Sequence, residues 1–176
     1  VIDANGCDYQ ETFNIDSPSS ILISENVNTI SCFNENDGEI DLTVTGGVLP
    51  YTYEWSNDLD IEDINNLSPG VYSITVTDGV GCSETETYQI TEPPLLTASI
   101  QTVDVDCFGD DTGYIISSIN GGTPPYNEDV NGGADTDNLS SGTYTLTITD
   151  DNNCQYIINN ININQPLLEL QLDANT

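Results

Sequence analysis

Two stretches decide the fold: GVYSITVTDGVGC at 70–82 and GTYTLTITDDNNC at 142–154. In the first, Tyr72, Ile74 and Val76 alternate with Ser73, Thr75 and Thr77; in the second, Tyr144, Leu146 and Ile148 keep the same beat. A period of two with β-branched and aromatic residues on one side is what a half-buried strand requires. Each strand then runs into Asp, three residues rich in Gly and Asn, and Cys. Those residue types tolerate positive φ and so close tight turns. VIDANGC at 1–7 reads as the end of the same phrase.

Working outward, the phrase belongs to a longer repeat. SCFNENDGEIDLTVTGG at 31–47 aligns with DCFGDDTGYIISSINGG at 106–122, and LPYTYEW at 49–55 with PPYNEDV at 124–130. The second copy then drops three residues before NNLSPGVYSITVTD at 65–78 aligns with DNLSSGTYTLTITD at 137–150. Pro93 and Pro166 close the two copies. These alignments divide the chain into 1–18, the tail of a preceding repeat; 19–93 and 94–166, two complete repeats; and 167–176, the first strand of a following one.

Further alternating runs lie at Ile40, Leu42, Val44 and at Tyr51, Tyr53, Trp55, with a last strand after each turn cysteine. Short strands at this spacing, with no helical period, predict an all-β protein: tandem immunoglobulin-like Greek-key sandwiches of about seven strands each. The second copy carries Glu128, Val130 and Ser117 where the first has Tyr53, Trp55 and Leu42, which predicts a thinner core there. Its closing run QYIINNININ has no charge over ten residues and is the segment most open to edge pairing with another chain.

The chain of 176 residues holds 30 Asp and Glu, no Lys, Arg or His, and a formal charge of −30. Nothing can neutralise a phosphate, so nucleic acid and anionic lipid are poor partners. Without histidine no Ser or Cys has the usual activating base, and carboxylate pairs at this density carry no signal for glycoside hydrolysis. Catalytic residues are therefore not expected. Absence of any 18-residue apolar run excludes direct membrane insertion by a helix. Weak Ca²⁺ binding is the one cofactor to weigh, at Asp104, Asp106, Asp110 and Asp111, at Glu35, Asp37 and Glu39, or at Asp58, Asp60, Glu62 and Asp63 with their counterparts Asp135 and Asp137. For Asp78 and Asp150 the turns offer a simpler use, acceptance of backbone hydrogen bonds. Tyr51, Tyr53 and Trp55 share one strand face, which serves either as core or as a carbohydrate platform. Asn66-Leu-Ser68 and Asn138-Leu-Ser140 fit a glycosylation signal and, equally, the turn before Gly70 and Gly142.

Five cysteines occupy two repeating positions, Cys32 and Cys107 after a first strand, and Cys7, Cys82 and Cys154 in the turn. Two disulfide patterns respect the period. One closes each repeat, Cys32 with Cys82 and Cys107 with Cys154, and leaves Cys7 to a partner before the segment. The other bridges neighbours, Cys7 with Cys32 and Cys82 with Cys107. The first is favoured, because a small core gains about 2–4 kcal/mol from its own staple. Disulfides place the chain in an oxidising, extracellular setting.

The residues Cys32, Gly46, Gly47, Pro50, Tyr51, Trp55, Gly70, Tyr72, Asp78, Gly81, Cys82 and Pro93 together resemble the SprB repeat. It occurs in tandem in very large surface adhesins of gliding Bacteroidetes. The second copy keeps Cys107, Gly121, Gly122, Pro125, Tyr126, Gly142, Tyr144, Asp150, Cys154 and Pro166, and departs at Val130 and Asn153. The resemblance implies non-enzymatic stalk repeats of an outer membrane-associated filament on the bacterial cell surface, exported by type IX secretion and used in adhesion and gliding motility. The partners it implies are neighbouring repeats of the same chain, surface polysaccharide or the substratum, and the gliding and secretion machinery through regions elsewhere in the protein. A repeat-borne carbohydrate- or calcium-binding module is the alternative.

Overall fold

The computed structural model describes residues 4–8, 10–12, 19–133 and 135–167. The expectations for 1–18 and 167–176 lie largely outside these. Among the described residues every regular element is a strand. In 19–93 these are β1 (Leu22–Asn28), β2 (Gly38–Thr45), β3 (Thr52–Trp55), β4 (Ile64–Leu67), β5 (Gly70–Thr77) and β6 (Ser83–Ile90). In 94–166 they are β7 (Thr97–Val103), β8 (Tyr114–Asn120), β9 (Asn127–Val130), β10 (Gly142–Thr149) and β11 (Gln155–Ile163). The copies thus hold six and five strands, against the seven expected of each.

The strands form several small antiparallel sheets, in the orders β1-β2-β4, β3-β5-β6, β7-β8 and β11-β10-β9. The chain divides into two compact units, Val1–Asn26 with Ile40–Ile64 and Tyr72–Tyr88, and Val27–Glu39 with Asn65–Val71 and Gln89–Thr176. The second unit therefore draws on both sequence repeats.

The alternating runs land where their period places them. Ile74 and Val76 on β5, and Leu146 and Ile148 on β10, have no exposed surface. β4 is the strand the sequence hides: Ile64 and Leu67 are buried, but Asn65 and Asn66 between them read as a turn. Asn66 lies at φ 56° and Asn138 at φ 55°, so this asparagine has a backbone role in both copies, inside β4 in the first rather than in the expected turn. In the second copy, three residues shorter here, the described residues hold an isolated bridge, Gly113 to Leu139.

The core of 94–166 gathers Leu96, Val105, Ile115, Val130, Leu146, Ile148, Ile161 and Ile163 among others. Val130 is fully buried in the place that Trp55 takes in the first copy. β11 contains a bulge: Tyr144 pairs with Ile161, but Leu146 pairs with Ile158, one residue more than regular pairing allows. Asn160, at φ 59°, takes up the slack. A one-residue slip exchanges the faces of a strand. Tyr156 and Ile158 before the bulge, and Ile161 and Ile163 after it, consequently all pack on the same core.

The Gly-Gly pair that ends β2 and β8 is required by space as well as by conformation. Gly46 (φ 77°) and Gly121 (φ 75°) each bring the Cα so close to a crossing backbone that an added Cβ would lie 2.0 Å from the carbonyl oxygen of Ser20 or Leu95. Only glycine meets both conditions.

Candidate functional site

The turn after β5 is built around one carboxylate. Asp78 Oδ1 accepts from the backbone N–H of Val80 (3.0 Å) and of Cys82 (2.8 Å), and Oδ2 accepts from Val48 N–H (3.0 Å). Asp150 repeats the arrangement: Oδ1 accepts from Asn152 (3.0 Å) and Cys154 (2.9 Å), and Oδ2 from Thr123 (2.8 Å). Both aspartates are buried. Burial opposes the charge on Asp78, but the amides of Cys82, Val48 and Val80 outweigh it and hold the carboxyl below its ordinary range. Asn153 at φ 67° stands where Gly81 has φ 90°, so the departure from the glycine pattern preserves the backbone. The aspartates thus do what the turn reading proposed, and they present the turn cysteine at a defined point.

The second cysteine position is a loop just before β2 and β8, again built twice. Glu35 N–H donates to Cys32 O (3.1 Å) and Asp110 N–H to Cys107 O (3.2 Å). Ile30 N–H donates to Thr91 O and Val105 N–H to Asn164 O, each at 3.0 Å. Ser31 N–H donates to Asp37 Oδ1 (3.0 Å) where Asp106 N–H donates to Thr112 Oγ1 (2.9 Å). Asn34 N–H reaches Glu92 Oε2 (2.9 Å) where Gly109 N–H reaches Gln165 Oε1 (3.3 Å). Hydrogen bonds from the Ser31 side chain and backbone hold the Asp37 carboxyl below the ordinary range.

The disulfide joins a loop of one copy to a turn of the other: Cys32 is bonded to Cys154, with Cα atoms 5.7 Å apart and 122 residues between them in sequence. Cys82 and Cys107 are exposed free thiols. Neither pattern drawn from the period is formed, so the favoured pairs Cys32–Cys82 and Cys107–Cys154 are corrected. The reason is local docking. Asn152 Nδ2, at the tip of the Asp150 turn, donates to Ser31 O (2.8 Å), which seats that turn against the Cys32 loop. Sequence spacing finds the two classes of cysteine; it cannot show which loop meets which turn.

The aromatic run of β3 is committed to packing. Trp55 is 2 % exposed, its Nε1–H donates to Ile61 O (2.9 Å), and its ring lies 6.2 Å from that of Tyr88. Tyr51 and Tyr53 are half-buried. The Tyr51 hydroxyl donates to Gly46 O, as that of Tyr126 does to Gly121 O (2.6 Å). Burial, then the charge of Glu62, pushes the Tyr53 hydroxyl up to about 12. Trp55 thus serves the core and not a carbohydrate platform.

Several carboxylates of the acidic clusters are taken up by backbone amides. Asp63 accepts from Leu42 N–H (2.8 Å), Asp37 from Ser31, and Asp104 from Asn164 N–H (2.8 Å). Among the described residues no three His, Cys, Asp or Glu side chains converge as a metal site would need. Nor, among them, is any helix long and apolar enough to cross a membrane.

No curated protein matches the chain. Residues 24–59, from β1 through the turn that follows β3, match the family model of the SprB repeat.

Proposed function

We propose that this chain is a run of non-enzymatic structural repeats in a large cell-surface adhesin filament that serves adhesion and gliding motility. Each repeat, 19–93 and 94–166, is in this reading a small immunoglobulin-like sandwich, its sheet pair being β1-β2-β4 with β3-β5-β6 in the first copy and β7-β8 with β11-β10-β9 in the second. The match of residues 24–59 to the SprB repeat carries the proposal. It is supported by the repetition of the same loop, turn and Gly-Gly corner in both copies. A charge of −30 with no cation opposes collapse of the filament at low ionic strength. Pro93-Pro94 restricts the joint between the copies. The filament would stand on the outer membrane through regions beyond these repeats and present its tip to polysaccharide or substratum.

Small-angle scattering of the 176-residue chain, and of the same chain with repeats appended, tests this. An elongated particle that lengthens with each appended repeat is expected. A compact particle whose radius barely grows would remove the stalk.

A further inference from the structure

We propose that the cysteines form a ladder between successive repeats, in which the loop cysteine of each repeat is bonded to the turn cysteine of the next. Cys32–Cys154 is one rung. Cys107 then takes the turn cysteine of a further copy placed after residue 166, and Cys82 takes the loop cysteine of a copy placed before residue 19. The partner is in each case a second copy of this repeat.

Three observations lead here. The bonded pair joins the first sequence repeat to the second, not a repeat to itself. Outside that bond, the two complete repeats leave one cysteine of each class, Cys107 from the loop and Cys82 from the turn, and both are exposed. Each is also held as its bonded counterpart is held. The Cys107 loop has the same backbone bonds as the Cys32 loop, and the Asp78 turn accepts the same three amides as the Asp150 turn. A loop and a turn with the geometry of a formed rung are therefore displayed without their partners. The aromatic neighbour of the loop cysteine follows suit: Phe33 is 41 % exposed beside the rung, and Phe108 is 52 % exposed beside the open thiol.

Rung formation removes two electrons and two protons from a pair of thiols. A small-molecule disulfide supplies the oxidant. One cysteine thiolate attacks it to give a mixed disulfide and one released thiol; the second cysteine thiolate then displaces the other thiol. The ladder makes the string of repeats continuous through sulfur as well as through the backbone. Tension on the stalk would then be shared at every joint. This goes beyond the adhesin reading and does not depend on it, since pairing is read by mapping and reach by scattering.

The test is a chain in which residues 94–166 are written a second time after residue 166. The appended copy carries Cys107→Ser, to leave one open loop cysteine, and Ile157→Val, as a mass tag. Both chains are folded in a glutathione redox buffer, alkylated and mapped with Asp- and Glu-directed proteases, because trypsin has no site in the sequence. Cys107 should be alkylated in the 176-residue chain and bonded to the tagged turn cysteine in the extended one. Cys107 that stays alkylated in the extended chain, or that bonds to Cys154 of its own copy, overturns the ladder. A second variant, Cys154→Ser in the original chain, should leave Cys32 alkylated. A Cys32–Cys82 bond in that variant would show that closure within a repeat is the default, and would equally overturn it.

Discussion

The two repeats carry their apolar bulk in different strands. In 19–93 the aliphatic core is joined by an aromatic pair: Trp55 on β3 and Tyr88 on β6 pack ring to ring, and the outer half of β6 is polar, with Glu84 and Glu86 exposed. In 94–166 the equivalent places hold Val130 and Ile161, both aliphatic and buried. The lost volume is answered on β11, where Tyr156 and Ile158 pack on the core at the level of those two glutamates. The bulge at Asn160 makes the exchange possible, because it returns Ile161 and Ile163 to the core face after Tyr156 and Ile158 have used it. The lesson is that this fold tolerates movement of its core material from strand to strand, while it keeps the Gly-Gly corner, the aspartate turn and the cysteine loop almost bond for bond.

The sharpest way to break that comparison is to give the first copy the second copy's residue. Trp55→Val leaves a large cavity with no Tyr156 or Ile158 to compensate, and it orphans the Ile61 carbonyl. A loss of about 3–5 kcal/mol is expected. Val130→Ala in the second copy should cost about 2 kcal/mol, since fewer buried atoms are removed. Denaturant unfolding followed by far-UV circular dichroism measures both. Equal losses at the two sites would mean that the aromatic pair is not the anchor of the first repeat.

Next in size are the aspartate turns, where the copies should behave alike. Asp150→Asn replaces one acceptor oxygen with an NH₂ group that confronts a donor amide. It should cost about 2–3 kcal/mol, measured by the same unfolding experiment. Asp78→Asn should destabilise in the same direction, and its pH dependence carries a sign. The folded-state carboxyl of Asp78 titrates below the ordinary value of 3.8. As pH falls through and below that value, the unfolded chain binds the proton first, so stability falls with falling pH. The contribution is complete above the ordinary value and is lost as pH drops through the lowered one. The gap in unfolding midpoint between the parent chain and Asp78→Asn should therefore be flat at neutral pH and close in acid. Taking the difference matters, because neutralising a chain of charge −30 relieves repulsion at the same time. A gap that widens in acid would contradict the assignment.

How much of this could be read beforehand follows from the range of the forces involved. Alternation is a local signal, so β2, β3, β5 and β10 are visible in the sequence, and so is the aspartate turn. The bulge left a weaker trace: Tyr156 and Ile158 fall on even positions and Ile161 and Ile163 on odd ones, but Ile157 between them blurs the alternation. β4 was hidden because Asn65 and Asn66 give a four-residue strand the composition of a turn. The acidic clusters misled because they lie almost wholly in the loops between strands, where backbone amides claim Asp37, Asp63 and Asp104. Legibility stopped at the disulfide. Period and spacing sort the cysteines into two classes, but the choice of partner is made where Asn152 docks on Ser31, 121 residues away, and no local pattern records it.

The smallest effect tests whether the aromatic pair of the first repeat is itself fully matched to its surroundings. Tyr88 is 8 % exposed, and its hydroxyl has no hydrogen-bond partner among the described residues. Burial, then the charges of Glu25 and Glu86, pushes that hydroxyl up to about 12. A buried, unpaired hydroxyl opposes folding, since it gives up hydrogen bonds to water and receives none in return. Tyr88→Phe keeps the ring against Trp55 and removes only that cost, so it should stabilise the first repeat by up to about 1 kcal/mol, seen as a rise in denaturation midpoint. The second repeat has already made the corresponding choice, with apolar Ile161 in this position. A fall in midpoint would mean that the hydroxyl works for the fold after all, and that the aromatic and aliphatic cores are not interchangeable here.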